Sequence, residues 1–458
     1  MTITYDNSFL VGNNFLGATF EQDPIPSWLK INGVILGESS NFGYKTIVNK
    51  NIGDLLNLLS EDPKVQAVVY NWSSGTAYVK TWFNLSLVSD STVNTAYTTF
   101  IIKSITPTPI SIQSTGSFVT WNGSQFMLDG NKFVPVGMNC YWLGLMEGQV
   151  YPSQEQITEI FKGAKQCAFT VIRSHSLGVS TGNNNSLRPY DNTFNEVAWK
   201  TIDWAYSEAK KYDIKLIIPL TDNYQYYHGG YFNFCQTRNV DYSTFYTDLN
   251  VRNDFKSYIY NYLNHTNQYT GVQIKNSPEL LMIETGNELG EIRPGTNIIP
   301  TQEWITDITN YIKSIAPNLI VLDGCDECLG QANNFDVKTT DCFSSHFYWK
   351  DQNRINYGAS NSKNVNKPYI IGEYSSNATS DWFSFIENIP NMCGSMAWSL
   401  YCHDTGLPTG NRIQHQEESY TQTLYFDNQS SDNTQYILNI TNHCRRMRNL
   451  PTVNQLTF

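Results

Sequence analysis

Two hydrophobic rhythms divide the chain. Up to about residue 103, apolar and polar positions alternate in short runs, as in Val65-Gln-Ala-Val-Val-Tyr-Asn-Trp72 and Thr76-Ala-Tyr-Val-Lys-Thr-Trp-Phe83. These flank Ser73-Ser-Gly75 and predict a β-hairpin, while Leu55-Leu-Asn-Leu-Leu59 predicts one short helix ahead of it. Residues 104–117 carry paired prolines among Thr and Ser, continue neither sheet nor helix, and read as a linker. From Phe118 the rhythm changes to continuous apolar runs alternating with amphipathic segments. Strand ends are expected near Asn139, Arg173, Thr221, Glu288, Asp323, His346, Glu373 and Trp398. Helical periodicity spans Glu155 to Ala164, Val197 to Lys211, Val251 to Leu263, Glu303 to Ile315 and Asp381 to Asn388. Eight strands with crossovers predict a (β/α)8 TIM barrel over 118–458, preceded by a small β-rich (α+β) domain over 1–103. A doubly wound sheet would open on a Gly-rich phosphate loop, and none follows the first strand. Phe118 to Phe133 reads as a hairpin laid over the barrel floor.

In such a barrel the loops after the strands surround one pocket, so polar residues at strand ends are candidates for chemistry. Two carboxylates stand out, Glu288 in Glu284-Thr-Gly-Asn-Glu288 and Glu373 in Ile371-Gly-Glu-Tyr374. A charge directly after an apolar strand is costly unless it faces a cleft. Strands four and seven lie on facing sides of the pocket, so these carboxyls can converge on one bond. Paired carboxyls of unlike protonation are what glycoside hydrolysis needs. Arg173, Asn223, Asn287, His346, Tyr348 and Trp398 fall at the other strand ends. A cation and a phenol beside a carboxylate keep it ionised, an Asn can donate to a sugar hydroxyl, and a Trp supplies a flat floor.

Composition narrows the partners. The 458 residues carry a net charge of −11 with no basic run, which argues against nucleic acid. No stretch has the length of a membrane span, and the start lacks the pattern of a secretory signal peptide. Aromatics make up 14 % of the chain, 29 of them Tyr and 11 Trp, a supply of faces suited to sugar rings. Nine cysteines leave at least one thiol unpaired, and Cys325-Asp-Glu-Cys328 lacks the second half of a zinc site. There is neither a Gly-x-Ser-x-Gly elbow nor a His-Glu-x-x-His helix. The carboxylate reading needs no metal and no cofactor. The sequons Asn71-Trp-Ser, Asn264-His-Thr and Asn439-Ile-Thr agree with an extracellular protein, and a monomer is expected.

From Phe118 onward the sequence resembles glycoside hydrolase family five, within it the endo-β-1,4-mannanase branch. The resemblance rests on Gly-Asn-Glu288, His346-Phe-Tyr348, Gly-Glu373 and Ala397-Trp398, and on Tyr190 to Lys200, Thr221-Asp-Asn-Tyr224, His228-Gly-Gly230 and Phe245-Tyr-Thr-Asp248. It implies Glu288 as acid/base and Glu373 as nucleophile in a retaining double displacement on a β-1,4-linked polysaccharide. The same catalyst acting on β-glucan, or transferring to sugar, is the alternative, and a non-catalytic carbohydrate-binding barrel the alternative of another class. Mannanases commonly carry an aromatic after the strand-two Arg and an Asn-Trp pair, whereas this chain has Arg173-Ser-His175 and Asn223-Tyr224. Trp142, Tyr224, Tyr226, Tyr227 and Trp349 are candidates for sugar stacking, and His175 and His403-Asp404 for hydroxyl binding or loop capping. The helix and hairpin of the first domain resemble the PAN/apple fold without its cysteines, and Trp28, Trp72 and Trp82 could give it a sugar-binding face.

Overall fold

The computed structural model describes the backbone of six N-terminal strands within residues 19–102. It then describes 116–458 apart from 191–192, 291–298, 326–333, 405–409 and 415–422. The chain divides into two compact units, residues 1–112 with 192–194, and the remainder. In the first, β1 (Thr19–Gln22), β2 (Trp28–Ile35), β3 (Phe42–Val48), β4 (Ala67–Asn71), β5 (Thr76–Trp82) and β6 (Thr92–Ile102) form one sheet. Its order is β1-β2-β6-β4-β5-β3. The expected hairpin is present, because β4 and β5 pair antiparallel from Asn71↔Thr76 outward. The short helix at 55–59, most of the linker, Cys328 and the three tryptophan side chains lie outside the described residues.

The second unit begins with the expected floor, a meander of β7 (Thr120–Asn122), β8 (Gln125–Leu128) and β9 (Asn131–Phe133). Its second turn is Asp129-Gly130 with φ of 51° and 78°, the two positive values that a tight hairpin turn requires. Phe126, fully buried, joins Val171, Ile217, Met282, Ile370 and Met396 in one apolar cluster. The meander thus plugs one end of the barrel and leaves the other for the site.

The barrel strands are β10 (Val136–Asn139), β11 (Val171–Arg173), β12 (Lys215–Pro219), β13 (Leu280–Glu284), β14 (Ile320–Leu322), β15 (Phe343–Phe347), β16 (Tyr369–Ser375) and β17 (Met392–Trp398). All pair parallel in the order β14-β13-β12-β11-β10-β17-β16-β15. A parallel bridge between Leu322 and Cys342 closes the ring. Strands covered on both faces need no polar side, which is why β12, β13 and β14 read as nearly unbroken apolar runs, whereas β15 carries Ser344, Ser345 and His346.

Helices α1 (Gln154–Gln166), α2 (Glu196–Tyr212), α3 (Phe232–Arg238), α4 (Leu249–Asn264), α5 (Gln302–Ile315), α6 (Gln352–Asn364), α7 (Ser380–Asn388) and α8 (Ser431–Met447) form the outer layer. Ser153 and Gln156 make a capping box on α1, and Asp248 accepts from two amides at the start of α4. Periodicity missed α3, α6 and α8. In α6 the buried face is only Ile355, Gly358, Ala359 and Ser362, too small and too polar to stand out. That smallness serves packing, since a Cβ on Gly358 would lie 2.7 Å from the Tyr369 ring.

Candidate active site

The polar layer sits where the apolar strands stop. Asn139 pairs with Arg173 across β10 and β11, and His346 with Glu373 across β15 and β16, beside a register shift at Ser345/His346. Such irregularities re-aim side chains near functional sites. The fourth strand departs from expectation, because β13 ends at Glu284 rather than at Glu288. Glu288 lies in the following loop at φ 50°, a left-handed conformation that a Glu rarely adopts. A backbone bridge between Asp222 and Asn287, and another between Leu289 and Cys325, hold that loop on both sides.

Arg173 is the hub, with no exposure to solvent. Its Nε donates to Glu284 Oε2 at 2.9 Å, and Nη1 donates to Asn139 Oδ1 at 3.1 Å and to Glu373 Oε1 at 2.7 Å. Nη2 donates to Asn287 Oδ1 at 2.8 Å. The planar guanidinium therefore fixes two carboxylates and two amides in one orientation, a task for which a Lys has the wrong geometry. Tyr348 Oη donates to Glu373 and Tyr224 Oη to Glu288. His346 lies between the two carboxyls, with Nδ1 2.6 Å from Glu288 Oε1 and 3.5 Å from Glu373 Oε1. One oxygen of each carboxyl and a ring nitrogen of His346 lie within 4.8 Å of one another. These three are also donors of the kind that grip a metal, but each already has a protein partner.

His346 needs room that only glycine leaves. A Cβ on Gly372 would sit 2.5 Å from His346 Nε2 and 2.6 Å from Ser344 Oγ. Gly372→Ala should therefore displace the imidazole and lower turnover by roughly tenfold to a hundredfold with the fold retained, a loss steady-state kinetics and circular dichroism would separate. An alanine variant with unchanged turnover would mean that the position of His346 is unimportant.

The electrostatics follow from burial against these partners. Burial pushes the Glu373 carboxyl up, to about 7, although His346 and Arg173 pull the other way, and the charge of Glu288 adds to the rise. Burial acts on Glu288 too, but the bond and charge of His346, with Tyr224, outweigh it and hold Glu288 below the usual carboxylate range. Burial lowers the pKa of His346, but the two carboxylates outweigh it and hold the imidazole above its ordinary value. The three groups titrate as a unit and share their protons. His175, buried beside Arg173, is held well below the ordinary imidazole range and is neutral, and its Nδ1 has no partner among the described residues.

The sequence candidates sort themselves by this geometry. Arg173, Tyr224, Asn287, His346, Tyr348, Glu288 and Glu373 meet in one bonded cluster. Trp398 ends β17, stacks on Tyr141 at 5.3 Å and meets His175 edge-on at 5.4 Å. Asn223 is half-buried, and its amide donates to Asn287 O at 3.1 Å. Tyr226 and Trp349 are exposed on their loops, whereas Tyr227 Oη donates to Leu145 O.

Trp142 is a correction. It has no exposed surface, and its indole Nε1 donates to Leu400 O at 2.9 Å, so the ring packs against Tyr401 instead of facing a groove. His403 is likewise internal, bonded to Glu159 and, at 2.7 Å, to Asp427, which Arg412 also grips. Four members of the site were not singled out from the sequence: Asn139, Asp222, His228 and Glu284. Asp222 accepts from Asn287 Nδ2 at 3.3 Å and meets His228 Nε2 at 3.0 Å. For Glu284 the sequence does hold a signal, a carboxylate closing an apolar run four residues before Glu288.

An eight-stranded parallel barrel with two facing carboxyls at the C-terminal strand ends is the layout of a barrel glycosidase. The model of the glycoside hydrolase family 5 β-mannosidase-like domain matches residues 116–374, over half of the chain. The chain belongs to glycoside hydrolase family 5. It is 30 % identical over 224 residues to mannan endo-1,4-beta-mannosidase 1 of Oryza sativa subsp. japonica, covering 48 % of this chain and 51 % of that protein. Mannan endo-1,4-beta-mannosidase 7 of Arabidopsis thaliana is 30 % identical over 228 residues, with the same shares. The chain thus spans about half the length of these curated relatives. Among solved structures, the endo-1,4-beta-mannanase of Rhizomucor miehei superposes with a TM-score of 0.61 at 22 % identity, over 73 % of this chain and all of that one. The endo-beta-1,4-mannanase of Thermotoga petrophila gives 0.55 at 20 % identity, over 70 % and 78 %. At that identity the likeness concerns the fold.

Proposed function

We propose that the protein is a retaining, endo-acting hydrolase of β-1,4-linked mannan, working outside the cell as a monomer, with residues 1–103 as an accessory unit. The observation that carries the reading is the 4.8 Å limit on the separation of the Glu288, His346 and Glu373 donor atoms. Retaining enzymes hold their carboxyls about 5–5.5 Å apart, whereas inverting ones leave about 6.5–9.5 Å for a water. The curated relatives named above are mannan endo-1,4-beta-mannosidases, and this favours mannan over glucan.

In this reading Glu373, oriented by Arg173 and Tyr348, attacks the anomeric carbon as its carboxylate. Glu288 gives its proton to the leaving oxygen, and a glycosyl ester forms on Glu373. Water then attacks the ester, Glu288 takes the water proton back, and Glu373 leaves as the carboxylate. Asn287, held by Arg173 and Asp222, would meet the sugar 2-hydroxyl. The working state needs the shared proton on Glu288 and none on Glu373. Positive charge developing at the anomeric carbon favours the ionised Glu373, and His346 spans the gap between the two carboxyls.

A pH consequence follows. The cluster must hold an acid proton, and Glu373, raised to about 7, is the carboxyl that loses it last. Activity should fall as pH rises through about 7, which a kcat/KM profile would read. A rate flat from pH 5 to 9 would contradict the shared-proton arrangement.

The substrate and mechanism are tested together by incubating the protein with mannan, glucomannan and carboxymethylcellulose, and following products by size and by proton NMR. Internal cleavage of mannan with the β-anomer appearing first is expected. The α-anomer first would refute retention, cleavage of the cellulose derivative alone would move the enzyme to β-glucan, and products longer than the substrate would mark transfer to sugar.

A further inference from the structure

The opposite end of the barrel carries a second feature. Where β10, β11 and β12 begin, a cavity of about 460 Å³ opens between the floor meander and the end of α8. Phe133, Phe169 and Leu450 give it apolar walls. Lys132, Lys165, Lys215 and Arg448 line it as well, against a single carboxylate, Asp213.

Part of that positive charge has an internal reason. Helices α1, α2 and α8 end nearby at Gln166, Tyr212 and Met447, and a helix C-terminus presents about half a negative charge. Three such ends with Asp213 offset about two and a half of the four cations, and about one and a half positive charges are left over. Lys165 reaches Asp213 at 3.8 Å, and Arg448 Nη1 donates to Ala168 O at 2.6 Å. Lys215, the first residue of β12, is different. It is only 7 % exposed, and its ammonium has no hydrogen-bond or ion-pair partner among the described residues. That unpaired ammonium belongs to the lining of the cavity, and the surplus positive charge lies around it in a chain whose net charge is −11.

We propose that this cavity binds a small organic anion, a sugar-sized molecule bearing a phosphate or carboxylate group. The charged group would sit against Lys215, with Lys132 and Arg448 beside it, and the body would rest on Phe133 and Phe169. The volume lies within the range of ordinary ligand pockets. The lining residues lie in the floor meander, ahead of β10 and β11, at the start of β12 and after α8, on the side away from Glu288 and Glu373, so the site is separate from the catalytic one.

Isothermal titration calorimetry on the full chain tests this with inorganic phosphate, glucose 6-phosphate and glucuronate, and with glucose as the neutral control. Saturable one-site binding of at least one anion is expected, weakening with salt and roughly tenfold or more weaker in Lys215→Met. Lys132→Gln, at an exposed position, should weaken it less and serves as the readout if Lys215→Met does not fold. Glu373→Gln should leave it unchanged. Tight binding of inorganic phosphate would identify the charged group as the recognised part, and binding of the charged sugars alone would add the apolar walls. No saturable binding of any of the three anions would overturn the proposal. So would binding unchanged in a folded Lys215→Met protein, or binding that Glu373→Gln abolishes.

Discussion

Replacing Glu373 with glutamine should reduce hydrolysis of mannan by roughly ten-thousandfold or more, while leaving the fold and substrate affinity in place. The amide keeps an oxygen to accept from Arg173, and its NH2 can donate to the Tyr348 hydroxyl, so the buried guanidinium is not stranded, but the amide cannot form the glycosyl ester. Glu288→Ala should cost about a hundredfold to ten-thousandfold, the range for loss of a general acid. An aryl glycoside with a good leaving group separates the two roles. It needs no proton in the first step, so Glu288→Ala should still release the phenol in a burst, whereas Glu373→Gln should release none. A burst from the Glu373 variant and none from the Glu288 variant would reverse the assignment, and near-normal turnover of mannan by either would remove that residue from its role.

Arg173→Met should be the most damaging change to the site's architecture. It leaves Glu284 and Glu373 buried without their shared cation, and breaking a buried pair in this way costs about 3–5 kcal/mol. For a unit of this size that is roughly a 5 °C fall in the thermal midpoint. The sign of the accompanying pH effect is fixed, because Arg173 pulls the Glu373 pKa down against burial. Without it, that pKa rises further and the alkaline limb of any residual activity moves to higher pH. Arg173→Lys keeps the charge and loses the fork, so it should recover stability better than activity. A methionine variant with the wild-type midpoint and an unmoved alkaline limb would show that Arg173 is not the organising group.

How far the site could be read in advance depended on the kind of signal each residue left. Glu373, His346, Tyr348 and Arg173 close apolar strands, and position along the chain is enough to place them at the barrel mouth. Trp142 follows an apolar strand as well, yet it turns inward to Leu400, because whether a loop aromatic faces a groove or a core depends on a segment more than 250 residues away. The place of Glu284 at a strand end is legible, but its pairing is not, because its partner Arg173 is 111 positions distant. The polar helix α6 escaped notice because small residues, not large apolar ones, make its contact with the barrel.

By itself the sequence determined the alternation of buried parallel strands and amphipathic helices, the hairpin over the floor, and the two glutamates that stand among polar strand ends. Those are consequences of local periodicity and of turn and cap chemistry, which act over a few residues. Tertiary structure alone decided that Glu288 sits in a left-handed loop conformation beyond its strand, and that one guanidinium ties β10, β11, β13 and β16 together. It also decided how protons are shared across Glu288, His346 and Glu373. These follow from burial and from charges brought together by closure of the barrel, and electrostatic energy depends on distance in space, which sequence separation does not measure.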